Sequence, residues 1–130
     1  MKEINKELAQ QVVDYGVKML RAGFVTGTGG NISIRVPGED AFLISPSGMP
    51  YEQINVDDIV MIDMDGNVIG GKRKPSVEQN MHRLILKNRP EFNAVIHTHS
   101  CYTAAYSSLR RPMPVFGCHA LRIRRTGAMR

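Results

Sequence analysis

Two histidines one residue apart, His97-Thr98-His99, are the first candidates for chemistry in this chain. Along an extended strand, residues two apart face the same side. The two imidazoles can therefore share one metal ion, and imidazole is an ordinary zinc ligand. The pair closes a short apolar run, Asn93-Ala94-Val95-Ile96, where the chain would leave a sheet. A bare HxH also fits two partly buried histidines satisfied by backbone carbonyls, and a catalytic zinc normally has three protein ligands plus an open position. Glu78 is the second candidate. It falls in the first turn of a helix beginning near Ser76, where amide dipoles stabilise negative charge. Such a Glu is either a surface residue favoured by the dipole or a carboxylate held near a metal as general base. His82, one turn later on the same face, could join Glu78, but it is expected to be an ordinary helix-face histidine.

Small polar and glycine-rich loops form a third set: Gly27 to Asn31, Ser45 to Gly48, and the helix start at Ser76. Backbone N–H groups in such loops can approach an anion closely, and a helix N-terminus favours phosphate. No GKS or GKT follows and no GxGxxG follows a strand, so neither nucleotide fingerprint is present. Lys72-Arg73-Lys74 could steer an anion or form a solvated charged face.

The elements that must position these residues can be read from periodicity. Ile4, Leu8, Val12, Tyr15, Met19 and Leu20 predict an amphipathic helix over 4–22, closed by Gly23. Asn31 to Val36 alternates as a strand. After the turn Pro37-Gly38-Glu39-Asp40, Ala41 to Ile44 is its hairpin partner. Asp65-Gly66 joins Ile59–Met64 to Asn67–Ile69 as a second hairpin. Ser76 with Gln79 matches a capping box opening a helix to about Asn88. A short strand over 93–97 and a helix over 102–109 follow. The order is that of a mixed α/β domain with a mainly antiparallel sheet.

Of 17 Lys and Arg, six are arginines between Arg110 and Arg130, where there is no acid. The preceding 109 residues carry 11 basic and 12 acidic side chains. The formal net charge of +5 therefore belongs to the tail, and the body lacks the basic face expected of a nucleic-acid binder. No apolar run approaches the roughly 20 residues of a membrane span, and the N-terminus lacks the apolar region of a secretory signal. Cys101 and Cys118 are too few for a disulfide framework and are expected as small buried apolar residues in a cytosolic protein.

Taken together, Gly27-Thr28-Gly29-Gly30-Asn31-Ile32-Ser33, Ser45-Pro46-Ser47-Gly48, Lys74-Pro75-Ser76-Val77-Glu78 and His97-Thr98-His99-Ser100 resemble, in order and rough spacing, the class II aldolase/adducin family over about residues 6–115. The resemblance implies an α/β/α layered domain with a central, mostly antiparallel sheet. It also implies a divalent ion, usually zinc, a sugar-phosphate substrate, and a cytoplasmic homotetramer with sites at subunit interfaces. By position, His97 and His99 resemble two of three metal histidines, and Glu78 the catalytic acid/base beside the metal. Gly30, Asn31, Ser47, Gly48, Ser76 and Val77 resemble the phosphate-binding positions.

The implied reaction is cleavage of a ketose 1-phosphate to dihydroxyacetone phosphate and an aldehyde, with zinc as Lewis acid and Glu78 moving the proton. Glu rather than Asp at 78 resembles the aldolase branch more than the epimerase branch. A family epimerase or dehydratase and an inactive adducin-like fragment are the alternatives. Two features depart from the pattern. Val77 stands where the sugar-phosphate aldolases have a second Ser. The chain is also shorter than family members of roughly 200 residues, a length above the usual range for one domain. It is therefore expected to be the N-terminal part of the domain over 1–117, with an unmatched basic tail over 118–130. The third metal histidine would lie in the absent portion.

Overall fold

A computed structural model of the chain describes residues 1–112. The expected boundary after residue 117, Cys118, His119 and the basic tail lie outside the described residues. The chain divides into Met1–Ser100 and a unit beginning at Cys101. The first unit holds helix α1 (Lys6–Arg21), strands β1 (Asn31–Arg35), β2 (Ala41–Ile44), β3 (Val60–Asp63) and β4 (Val68–Gly70), helix α2 (Gln79–Asn88) and strand β5 (Ala94–His97). The five strands form one sheet in the order β4-β3-β2-β1-β5, every neighbouring pair antiparallel. This is the expected α/β architecture.

Helix α1 starts where Asn5 caps it, its Oδ1 accepting from the Leu8 N–H at 3.0 Å. It ends at Arg21. Gly23, at φ +75°, then takes the left-handed turn that allows the Gly23 and Phe24 amides to reach back to Leu20 and Met19. Ala9, Val12, Gly16 and Met19 form its buried stripe. Gly16 is required there because the Tyr51 ring lies where a β-carbon would go, 2.7 Å away.

The apolar runs of β2 and β3 explain the layering. Leu43 and Met61 point to the α1 side, into a core with Val12, Ile32 and Ile59. Phe42, Ile44, Val60 and Ile62 point to the other side and pack with Leu86 of α2. Strands covered on both faces read as continuous apolar runs rather than alternating ones, and all four residues of β2 are buried. Strand β1 alternates instead. Ile32 and Ile34 face α1, leaving Asn31, Ser33 and Arg35 on the α2 side. Arg35 then donates from Nη2 to the Leu86 carbonyl at 2.5 Å and from Nε to the Phe92 carbonyl at 3.2 Å, tying α2 and the turn after it to the sheet.

Two local expectations change, and one stretch folds where no element was expected. The chain between β2 and β3 contains two short 3-10 turns, Tyr51–Gln53 and Val56–Asp58, which have no periodicity to announce them. The capping box at Ser76 is not formed. Helix α2 begins at Gln79 with Glu78 as its N-cap, and Ser76 Oγ instead accepts from the Glu78 N–H at 3.3 Å in a preceding turn. Cys101 opens helix α3 (Cys101–Ser108) of the second unit and is free and exposed rather than buried. That helix buries no residue, so it offers the thiol no apolar surface to enter. Among the described residues, no helix is long and apolar enough to cross a membrane.

Candidate active site

The register of β1 against β5 places Asn31 opposite His97. Directly opposed residues share a face of the sheet, and this face is the one covered by α2. The N-terminus of α2 brings Glu78 to the same point. Glu78 Oε2 accepts from Asn31 Nδ2 at 2.6 Å and from His97 Nδ1 at 2.8 Å. His99 follows just beyond the strand, its ring 4.9 Å from that of His97, centroid to centroid and edge-on. Glu78, His97 and His99 each present one ligand atom, all within 4.8 Å of one another, so the three form a group able to hold a metal ion. Two imidazoles and a carboxylate suit zinc or a similar divalent ion.

The electrostatics favour an ionised Glu78. Its hydrogen bond from Asn31 holds the carboxyl below the usual carboxylate range, and the hydrogen bond and charge of His97 act in the same direction. With the carboxylate as acceptor, His97 Nδ1 carries the proton. Its Nε2 lone pair is then the one available to a metal. Because both donors engage Oε2 and no donor among the described residues reaches Oε1, that second oxygen is left for a ligand or a substrate proton.

The glycine loop before β1 is shaped to lie against the histidines. The His99 N–H donates to the Phe24 carbonyl at 2.9 Å. A β-carbon on Gly29 would stand 3.1 Å from His99 Nδ1. Tyr51 donates its phenol proton to the Gly29 carbonyl at 3.1 Å. Burial pushes that phenol up to about 12, with the Glu78 charge adding to the shift. Tyr51 had no recognisable signal in the sequence.

The other expected anion-binding residues gather nearby in the chain's fold. Pro46 and Pro75 form an antiparallel bridge. The Ser47 N–H donates to the Lys74 carbonyl at 2.9 Å and the Ser76 N–H to the Ser45 carbonyl at 3.2 Å. Ser45 Oγ accepts from the Ile32 N–H at 3.3 Å, fixing this pair of loops to β1. Ser47, Gly48, Ser76 and Val77 thus lie on two adjoined loops, while Gly30 and Asn31 lie at the start of β1. Arg73 is drawn away from an anion-steering role: its Nε donates to Asp58 Oδ1 at 2.7 Å.

His82 is the residue the sequence reading placed least well. Rather than an ordinary helix-face histidine, it is fully buried between α2 and β1. Its Nδ1 lies 2.7 Å from Ser33 Oγ and its Nε2 2.5 Å from Asn31 Oδ1. The alternation of β1 puts Asn31 and Ser33 on one face, but only the packing of α2 on that face shows that both contact the His82 ring.

Comparison with known proteins points to one family. The "Class II Aldolase and Adducin N-terminal domain" matches residues 10–129. A 5-deoxy-D-ribulose 1-phosphate aldolase of Bacillus thuringiensis serovar kurstaki is 43% identical over 105 residues, covering 81% of this chain and 49% of its own. An L-ribulose-5-phosphate 4-epimerase of Salmonella paratyphi B is 37% identical over 112 residues, covering 86% of this chain and 49% of its own. Among solved structures, an L-fuculose 1-phosphate aldolase superposes with a TM-score of 0.81 at 35% identity, over 85% of this chain and 52% of that one. The chain spans about half the length of the curated relatives it matches.

Proposed function

Since the chain belongs to the class II aldolase and adducin N-terminal domain family, we propose that it forms the metal-binding and acid/base part of a zinc-dependent sugar-phosphate aldolase. The reaction is reversible cleavage of a ketose 1-phosphate to dihydroxyacetone phosphate and an aldehyde. The observation that carries this reading is the convergence of Glu78, His97 and His99 on one point. Two of the similar proteins, the deoxyribulose and fuculose phosphate aldolases, are named for ketose 1-phosphates.

A bound divalent ion would supply Lewis-acid polarisation of the substrate carbonyl. The chain's residues supply the rest. His97 and His99 would hold the ion through imidazole nitrogens, with the Glu78 carboxylate beside them as a further ligand. Glu78 is anchored through Oε2 and moves the proton at Oε1. Around the positions Gly30, Asn31, Ser47, Gly48, Ser76 and Val77, the phosphate is taken by the Gly48 and Val77 N–H groups and the Ser47 and Ser76 hydroxyls, because the Ser47 and Ser76 N–H groups already donate to the Lys74 and Ser45 carbonyls. The third metal ligand and the homotetrameric, cytoplasmic assembly belong to the same reading, with a small sugar phosphate as partner rather than nucleic acid or membrane.

The test is zinc titration of the purified chain, followed by assay of a panel of ketose 1-phosphates for release of dihydroxyacetone phosphate. Zinc uptake lost in His97→Ala, and zinc-dependent release lost in Glu78→Gln, are the expected results. No zinc uptake by the unaltered chain would sink the metal reading. An epimerised sugar phosphate with no aldehyde would move the assignment to the epimerases.

A further inference from the structure

We infer that His82, backed by Ser33, is a positioning residue that fixes the Asn31 side-chain amide so that its NH2 group, not its carbonyl, faces Glu78. The inference rests on the reading of Glu78, His97 and His99 as a metal group.

The directions of the hydrogen bonds carry it. An ionised carboxylate only accepts, so the Asn31 atom 2.6 Å from Glu78 Oε2 must be the donor, Nδ2. Asn31 Oδ1 is then turned to His82 Nε2, 2.5 Å away, and since Oδ1 only accepts, Nε2 must carry the proton. His82 is fully buried, which favours the neutral ring, so Nδ1 is bare and accepts. Its partner at 2.7 Å, Ser33 Oγ, can donate. One consistent polarity therefore runs from the Ser33 hydroxyl through His82 and Asn31 to Glu78.

Without the His82 N–H, the two ends of the Asn31 amide would lose the contact that distinguishes them on the buried side. The flipped amide would set its oxygen against the carboxylate. The His82 ring touches none of Glu78, His97 and His99. It acts at one remove, by keeping a donor on Oε2, which leaves Oε1 pointing free. Partners standing behind metal ligands commonly contribute 10–100-fold to metal affinity. Ser33, Asn31, Glu78 and His97 are the groups facing this chain of bonds from β1, α2 and β5.

Two measurements on the full chain test it. Long-range proton–nitrogen NMR of the histidine rings at neutral pH reads the tautomer directly. The expected His82 signal has Nε2 protonated and Nδ1 bare, with or without zinc, and the opposite tautomer overturns the inference. Zinc titration then compares variants. His82→Leu should lose about 10-fold or more in affinity. His82→Gln, whose side-chain NH2 can still donate to Asn31 Oδ1, should recover most of that loss.

Equal zinc affinity in folded His82→Leu and the unaltered chain removes the positioning role while leaving the metal reading intact. A chain that takes up no zinc yet shows the expected tautomer does the reverse: it removes the metal reading and leaves the fixed Asn31 orientation standing. Where His82→Leu does not fold, Ser33→Ala asks the same question. It releases the ring to either tautomer and should weaken zinc binding, and unchanged ring signals with unchanged affinity overturn the inference.

Discussion

A β-carbon on Gly30 would stand 2.5 Å from the carbonyl oxygen of His97 and 2.6 Å from Val25 Cγ1. The glycine that resembles a phosphate-binding position is thus also the point where the loop before β1 closes against the strand that carries His97. Its φ of +69° lies in the left-handed region as well. Gly30→Ala should therefore destabilise the fold by about 1–3 kcal/mol for the backbone conformation alone, and more for the overlap. Chemical denaturation checks this. Gly38→Ala is the control, since that glycine has φ +76° but open space around it. Equal losses at the two positions would show that the close approach to His97 contributes nothing.

Burial lowers the His82 ring to about 4 from its ordinary 6.5, with the His97 charge adding to the shift and the Glu78 charge opposing it. Between those values the unfolded chain binds a proton that the folded chain does not. Stability is therefore complete above about pH 6.5 and falls as pH drops towards 4, by roughly 3 kcal/mol in total. Urea denaturation across this range, in the presence of a chelator, should show the slope, and His82→Gln should flatten it. The carboxylate of Glu78, held below its usual range by Asn31, loses its contribution only at lower pH, so the two effects occupy different windows.

The contrast between Gly30, His82 and the strands shows what could be read directly from residue order. The apolar runs of β2 and β3 and the Asp65-Gly66 turn are local signals, and their elements form within one or two residues of expectation. The histidine pair was legible because its spacing is local too. The link from His82 to Asn31 and Ser33 spans 51 and 49 residues. It depends on which face of β1 the second helix covers, and no local period encodes that. The capping box misled for a related reason: Ser76 satisfies the Glu78 amide, but its own N–H is taken by Ser45 from a distant loop.

Asp58 is buried, and the Arg73 hydrogen bond holds its carboxyl below the usual range. The sign follows from that depression. The pair stabilises the fold above the ordinary carboxyl value of 3.8, and the contribution disappears as pH falls through the lowered one. Arg73→Met should cost about 1 kcal/mol at neutral pH, a modest figure because the arginine is half exposed. The difference from the unaltered chain should vanish in acid. Asp58→Ala should cost more, because Asp58 Oδ2 also accepts from the Asn55 N–H at 3.1 Å and closes the turn over Val56–Asp58. Thermal denaturation at pH 7 and pH 3 separates the two variants.

Val77 offers the most direct probe of the phosphate reading. It is 76% exposed, beside a buried Ser76 whose hydroxyl oxygen accepts from the Glu78 N–H and keeps its own proton to donate. Val77→Ser should barely change stability, within about 0.5 kcal/mol, as for most exposed sites. It would add a hydroxyl next to the amides that the proposal assigns to phosphate. A hydrogen bond to a charged group contributes about 1.5–3 kcal/mol at best, and an exposed site captures part of that. A severalfold gain in affinity for inorganic phosphate is therefore expected, read from amide shifts of Ser47, Gly48 and Ser76 in an NMR titration. Unchanged affinity with unchanged stability would place the Val77 side chain away from the bound anion. Phosphate recognition at that position would then rest on its backbone N–H alone, and the replacement of a serine by valine would carry no consequence for substrate choice.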